Sequence, residues 1–500
     1  MHRIALLVCL IAILFAADAD ARTWQDKSGK FSIEGEYVSF VAGNVRIRRS
    51  DGRIVRIAMS RLSADDQAFV KEILKNKATG NKPGAKPPTP SPATTVSTKK
   101  SSTGSGGGDW HRWRGPNADG ISTETGLLDR WTGDGPPLVW SSRGMGRGMS
   151  SVVVSKGKIY TMGKIRGSGA ALICASDSDG SVLWSTPAGD NGETNATPTV
   201  DVESNLVFGT TKEGNMICAN AQTGQKVWSK SFKNDFGGKM MSGWGYSESP
   251  LVDGDRLIVT PGGDRGVLVA LDKKTGRGIW STTMSGAGGA GYATPVVANC
   301  GGVKQYITLI RHGIIGVSAK TGKLLWHYKK IGNGTANIPT PIVKGDYVFC
   351  STGYGDGGSA LLQVGKGGRG VREIWYKSNR ELQNHHGGMV LIGKYIYMGH
   401  GHNNGLPVCV DMASGRIQWG PERGAGRQSA ALVAAEGHLY FRYEDGTMAL
   451  VEATPKGYNL KGSFTIASVN GKSWPHPVIA GKRLYLRDQD QLHCYNIAAQ

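Results

Sequence analysis

Four of the chain's 11 histidines sit in two short runs, Asn384-His385-His386 and His400-Gly401-His402. Imidazoles held close together can ligate a transition metal, bind an anion, or move protons near neutral pH. No acid lies within either run and the spacing matches no standard metal motif, so a hydrogen-bonded polar surface framed by Gly-rich turns is the competing reading. A second set suits a polar or anionic ligand: Glu248, Asp264, Arg311, His312, Arg442, His476 and Arg487, with Tyr246, Tyr292 and Trp474 as stacking faces. Arg487-Asp488 and Arg442-Tyr443-Glu444 can equally be ion pairs that stitch strand ends. No Ser-His-Asp order, phosphate-binding glycine loop or H-E-x-x-H occurs, so no residue is assigned a catalytic role. These residues come from segments far apart in the chain. Only a fold that gathers distant loops makes a site of them.

The element that does so is a repeat. Ala270–Trp280, ALDKKTGRGIW, reads as a strand, a Thr-Gly turn and a second strand ending in Trp. Copies end at Trp184, Trp228, Trp326 and Trp419, each with a Gly four residues before the Trp, and a divergent copy, GRGVREIW, ends at Trp375. The Trp-to-Trp steps are 44, 52, 46, 49 and 44 residues. A period of this size filled with short β-type runs is the signature of a β-propeller. The repeat openings, from SSVVVSKGKIY to HPVIAGKRLYL, number eight. The seventh closure is degenerate around Tyr458–Phe464, and the eighth repeat stops at LHCYNI without a closing Trp. PPLVW, ending at Trp140, supplies the missing strand from the other end of the chain and removes both exposed edges. The expected fold is all-β: an eight-bladed propeller over residues 109–500, preceded by a small SH3-like β module.

In a four-stranded meander, the loop entering the innermost strand and the loop joining the second and third strands share one face. Both histidine runs and the second set therefore fall on one rim of the channel, the default place for a ligand. The closing Trps end outer strands and are expected to pack between blades against the Thr-Gly turns.

The A-x-D-x-x-T-G-x-x-x-W motif resembles that of the quinoprotein, or PQQ-type, propellers, a family that includes alcohol dehydrogenases using pyrroloquinoline quinone and BamB-type outer-membrane assembly propellers. The lead-in WHRWRGPNADGIS, Trp110–Ser122, is also similar to that of exported PQQ-like propellers. The resemblance covers roughly 390 residues and is specific for fold. It implies PQQ and Ca²⁺ as the cofactors to consider. The adjacent Cys-Cys pair of the catalytic alcohol dehydrogenases is absent, and Glu248 and Asp264 are the available carboxylates for a cation.

Upstream of the repeat, residues 1–21 read as a secretory signal peptide, with His2-Arg3, the apolar run Ile4–Ala17 and an Ala19-Asp20-Ala21 cleavage site. Residues 22–75 form a module of alternating runs and hairpin turns. Ser63 then stands as a helix N-cap with Asp66 three residues on, before apolar residues at helical spacing. Its RTW-x-D-x-x-GKF start, DGR hairpin and RLS-x-x-DQ-x-FV end resemble a Sla-one homology domain, which implies peptide recognition. Residues 76–108 pass from Pro-rich to Gly/Ser-rich without core residues and read as a linker.

The net charge is +20. With an export signal it points to an anionic envelope surface, or to simple solubility, rather than to nucleic acid. Cys174, Cys218, Cys409 and Cys494 occupy one strand of four different repeats, out of bridging reach of one another. The expected function is an exported binding or scaffold protein of the periplasm, cell envelope or extracellular space. Its partners would be envelope proteins or peptides and, at the rim, a small-molecule ligand. No membrane span is expected after signal cleavage. The alternative is a PQQ- and Ca²⁺-dependent oxidoreductase of the alcohol or sugar dehydrogenase type.

Overall fold

The computed structural model describes residues 22–28, 31–41, 43–49, 53–79 and 108–499. The expected leader and most of the expected linker lie outside them. The chain divides into two compact units, Met1–Ser102 and Thr103–Gln500.

In the first unit a four-stranded antiparallel sheet runs Arg22–Gln25, Ser32–Val41, Asn44–Arg48 and Ile54–Ala58 in chain order. A helix, Ala64–Thr79, follows, running into the segment read as linker. Ser63 caps it: its Oγ accepts the Asp66 amide at 3.2 Å and donates to the Asp66 carboxylate at 3.0 Å. The same carboxylate accepts the Gln25 amide at 2.7 Å, tying helix start to first strand. Trp24, Val45, Ile47, Leu62 and Val70 form the core, and the Phe69 ring meets Trp24 edge-on.

In the second unit eight sheets each contain a four-strand antiparallel meander, the propeller that the repeat count requires. The eighth blade holds Val478–Ala480, Arg483–Asp488 and Gln491–Asn496, and its outer strand is Leu138–Arg143, with Trp140 opposite Cys494. The ring closes as expected. The degenerate seventh closure forms the outer strand Leu460–Thr465. One feature was not expected: Ile121–Ser122 adds a fifth, parallel strand to the seventh blade, on the open edge of Ala430–Ala435.

Both faces of each blade are buried, so alternation along a strand divides apolar residues between two neighbouring layers. In the fourth blade, Tyr306 and Ile310 pack toward the third, while Ile307 and Leu309 pack toward the fifth. The core is a ring of such layers. All six cysteines of the described residues are free and buried.

The Thr-Gly turns seat the closing Trps. Gly224 and Gly322 lie at φ +76° and +72°, and a Cβ on either would come within 2.7 Å of the Trp184 or Trp280 ring of the preceding blade. Each ring nitrogen donates to a carbonyl of that next turn, Trp184 to Gln222 at 3.2 Å and Trp280 to Ala319 at 3.2 Å. Trp326 departs from the rule because the fifth blade has no Thr-Gly turn to receive it. It donates instead to Gln305 Oε1 of its own blade at 2.6 Å.

Candidate functional site

The connections entering the inner strands converge on one mouth of the channel, where they surround a half-open cavity of about 120 Å³. Its walls come from the connections into every blade but the seventh, and Trp113, Trp244, Tyr292, Tyr354, His386, Trp474 and His476 supply its rings. No Asp, Glu, Lys or Arg side chain lines it.

The lead-in enters from the opposite mouth. Trp110 bridges Val154 of the first blade, the His111 carbonyl accepts the Val200 amide of the second, and Glu124 accepts the Gly481 amide of the eighth. Arg114, buried, donates to the Gly387, Met389 and Asp119 carbonyls. Between these anchors Trp113 reaches the cavity, donates to Thr340 Oγ1 at 3.1 Å and lies 4.5 Å from the His476 ring.

One wall is a continuous series of rings. Trp244 meets Trp474 edge-on at 5.9 Å, and His386 lies 4.4 Å from Trp474. His385 stacks on His386 at 3.9 Å and 20°, and both His402 and Tyr354 close on His385, at 4.5 and 4.7 Å. Lys472 stands outside, its ammonium 4.3 Å from the Trp474 ring centre and 5.1 Å from that of Trp244.

The hydrogen bonds set the imidazole tautomers. Ser429 donates to Asn403 Oδ1 at 2.8 Å, so the His385 Nδ1–H donates to Ser429 and His385 Nε2 keeps its lone pair. His476 Nε2–H donates to the His386 carbonyl at 3.2 Å, leaving the lone pair on Nδ1. Both lone-pair nitrogens are buried without a partner, as are His386 Nδ1 and the Trp474 indole N–H. Burial, then the neighbouring His402 and Lys472, pushes the His385 pKa down to about 3. Burial, then Arg114, does the same to His476, also to about 3. Burial and the surrounding imidazoles hold His386 well below the usual range. His385, His386 and His476 are therefore neutral at physiological pH.

The structure thus brings His385, His386, His402, His476 and Trp474 together. His400 does not join the ring series: it is buried, and its Nδ1 accepts the Gln383 amide at 3.2 Å. Among the described residues no group of three or more His, Cys, Asp or Glu side chains is disposed to hold a metal ion. Arg487 is fully committed to the protein. Its guanidinium donates to carbonyls of Gln489, Ser150, Met162, Met145 and Gly146 and to Thr161 Oγ1, at 2.5 to 3.0 Å. Arg442 donates to the Pro475 and Arg487 carbonyls and to Ser473 Oγ. Arg311 donates to the Met241 carbonyl at 2.8 Å, and exposed His312 bonds the Gly286 carbonyl through Nδ1 at 2.9 Å. Asp264 is exposed. Glu248 is buried: Oε1 accepts the Thr260 amide, Oε2 has no partner, and burial raises its pKa to about 8. Tyr246 is a core ring that donates to the Pro261 carbonyl at 2.9 Å.

Sequence reasoning missed Trp113, Trp244, Tyr354 and Lys472 as site residues. A signal for the two Trps existed. Both stand outside the periodic closing series, so neither is accounted for by blade packing.

Pyrroloquinoline quinone is a fused-ring tricarboxylate held with a cation. The lining offers no cationic side chain for its carboxylates. Of the two available carboxylates, Glu248 is buried and protonated at neutral pH while Asp264 faces solvent. A hard cation requires several converging oxygens. These residues do not fit the cofactor and its cation.

Residues 194–420 match the family model described as outer membrane protein assembly factor BamB, and residues 15–78 match SLA1 homology domain 1. The actin cytoskeleton-regulatory complex protein SLA1 of Mycosarcoma maydis is 31% identical over 58 residues, 12% of this chain and 5% of that protein. Among solved structures, BamB from Moraxella catarrhalis matches with a TM-score of 0.52 and 16% identity, covering 73% of this chain and 98% of that one. Quinohemoprotein alcohol dehydrogenase ADHIIG from Pseudomonas putida HK5 matches at 0.56 and 14%, covering 79% and 81%. A europium-containing methanol dehydrogenase matches at 0.53 and 13%, covering 76% and 89%. At these identities the likeness is one of fold. No helix among the described residues is long and apolar enough to cross a membrane.

Proposed function

Starting from a chain that joins a BamB-like, PQQ-like β-propeller to an SLA1 homology domain, we propose that it is an exported binding protein of the cell envelope and not a quinone-dependent oxidoreductase. The observation that carries this reading is the ring-lined cavity at the channel mouth, whose lining holds no Asp, Glu, Lys or Arg. It offers unpartnered neutral nitrogens to a ligand but neither counter-charges for a tricarboxylate nor an oxygen cage for its cation. The N-terminal module adds a peptide-recognition surface. A Pro-to-Gly/Ser segment of the kind read at 76–108 lets two such modules act together, raising avidity through effective concentration. The net charge of +20 favours residence at an anionic surface.

The test is a titration of the whole protein with pyrroloquinoline quinone and Ca²⁺, following Trp fluorescence and quinone absorbance. The expected result is no saturable change. Saturable, Ca²⁺-dependent binding overturns the reading and puts the dehydrogenase in its place.

A further inference from the structure

We propose that the channel mouth binds a neutral saccharide, one sugar ring seated in the cavity and its neighbour along the exposed Trp244 edge. This deepens the binding-protein reading and rests on it.

The physical requirements narrow the ligand class. The cavity measures about 120 Å³. It is half open to solvent, so a ring seated against its walls keeps one edge outside and continues toward Trp244. A charged group entering it would be stripped of water and meet no counter-charge, since no lining side chain carries one. The His386 ring, stacked on His385 at 3.9 Å, does not supply one either, because burial and its cationic and imidazole neighbours disfavour its protonation.

A purely apolar ring fails for the opposite reason. Of the side chains that line the cavity, His386 Nδ1, His476 Nδ1 and the Trp474 N–H are buried without partners. Covering them with hydrocarbon leaves each one stranded. His476 lines the cavity, is more than nine-tenths buried, and through its Nε2–H bond to the His386 carbonyl keeps Nδ1 as an acceptor. The ligand must therefore carry hydroxyl donors as well as an oxygen for the Trp474 N–H. A pyranose carries both around its edge and presents C–H faces to the indoles of Trp113 and Trp474.

The outer end of the ring wall points to more than one sugar. Trp244 is 46% exposed, the only described Trp so open, with its face beside Lys472. The closing Trps are tied into blade packing, but nothing in the blades requires an indole at Trp244. Its place at the end of the ring series extends the platform out of the cavity.

The experiment uses the whole protein and neutral oligosaccharides of glucose, mannose, galactose and N-acetylglucosamine, with oligogalacturonate as the anionic comparison. Calorimetry and saturation-transfer NMR read binding. Expected is saturable binding of at least one neutral series with Kd of about 10 µM to 1 mM. It should be insensitive to salt and weakened about tenfold or more by Trp474→Ala and by Trp244→Ala. Trp244→Ala removes an exposed side chain, so its fold is secure even where Trp474→Ala fails to fold. Absence of binding by every neutral series at about 10 mM overturns the inference. So does salt-sensitive preference for oligogalacturonate, or binding that Trp244→Ala leaves unchanged. Quinone and Ca²⁺ added to the same samples separate the two readings. Quinone binding defeats the binding-protein reading, whereas silence toward both ligands defeats only the saccharide.

Discussion

The guanidinium of Arg442, in the seventh blade, donates to the backbone carbonyl of Arg487 in the eighth, and the guanidinium of Arg487 donates in turn to carbonyls at the start of the first. Two buried cations thus clasp the seam where the ends of the chain meet. Neither has a carboxylate in salt-bridge contact. Burial lowers the pKa of each, to about 10 for Arg442 and about 9 for Arg487, yet both remain charged at neutral pH.

Replacing Arg487 with Met keeps much of the volume and removes every donor. The carbonyls of Ser150, Met162, Met145 and Gly146 then lose a partner in a dry seam. The expected loss is about 3–5 kcal/mol, read as a lower denaturation midpoint. Arg487→Lys should recover little, because a point ammonium cannot fork among carbonyls. An Arg487→Met protein as stable as the wild type would show that strand pairing at Trp140 closes the ring unaided.

Glu248 gives the fold a pH dependence of definite sign. Its folded pKa, about 8, lies above the ordinary carboxyl value of 4.5. The folded state therefore holds a proton that the unfolded state has released, and stability falls as pH rises from about 4.5 to about 8. Glu248→Gln mimics the protonated group and should flatten that slope in thermal midpoints measured across this window. An unchanged slope would assign it to other groups.

His385 and His476 act in the opposite direction. Their folded pKa values, about 3, lie below the ordinary 6.5. Their contribution is complete above about pH 6.5 and is lost as pH falls toward 3, since the unfolded imidazoles take up protons first. Replacing both with Asn should move the acid-unfolding midpoint to lower pH. A midpoint that stays in place would mean the carboxylates govern acid unfolding.

The Thr-Gly turns permit a matched comparison within one repeat family. Gly322 lies at φ +72° with the Trp280 ring 2.5 Å from the place of a Cβ, whereas Gly278 has open space around that place. Gly322→Ala should cost about 1–3 kcal/mol through strain and displacement of the Trp. Gly278→Ala should lie within about 0.5 kcal/mol of wild type. Equal midpoints for the two variants would remove the Trp-on-turn contact from the account of blade packing.

The eight blades, the closing strand at Trp140 and the burial of the cysteines were legible in the chain, because each depends on a pattern repeated within about 50 residues. A strand alternates, a turn needs Gly, and the Trp follows at a set distance, so neighbouring repeats corroborate one another. That loops bearing His385, His386 and His402 meet at one end of the channel follows from strand order alone, whereas the separate bonding of His400 does not. What a side chain does on that rim was not legible. Arg487 and His476 carry equal promise as letters, yet one is bound by its own protein's carbonyls and the other keeps a nitrogen free. That difference is set by contacts between residues more than 300 positions apart, such as Arg487 with Ser150 and Trp113 with His476. The cavity, its absence of charge and the tautomers of its imidazoles belong to the tertiary structure, because they arise where irregular connections from separate blades meet, and no local period governs such a meeting.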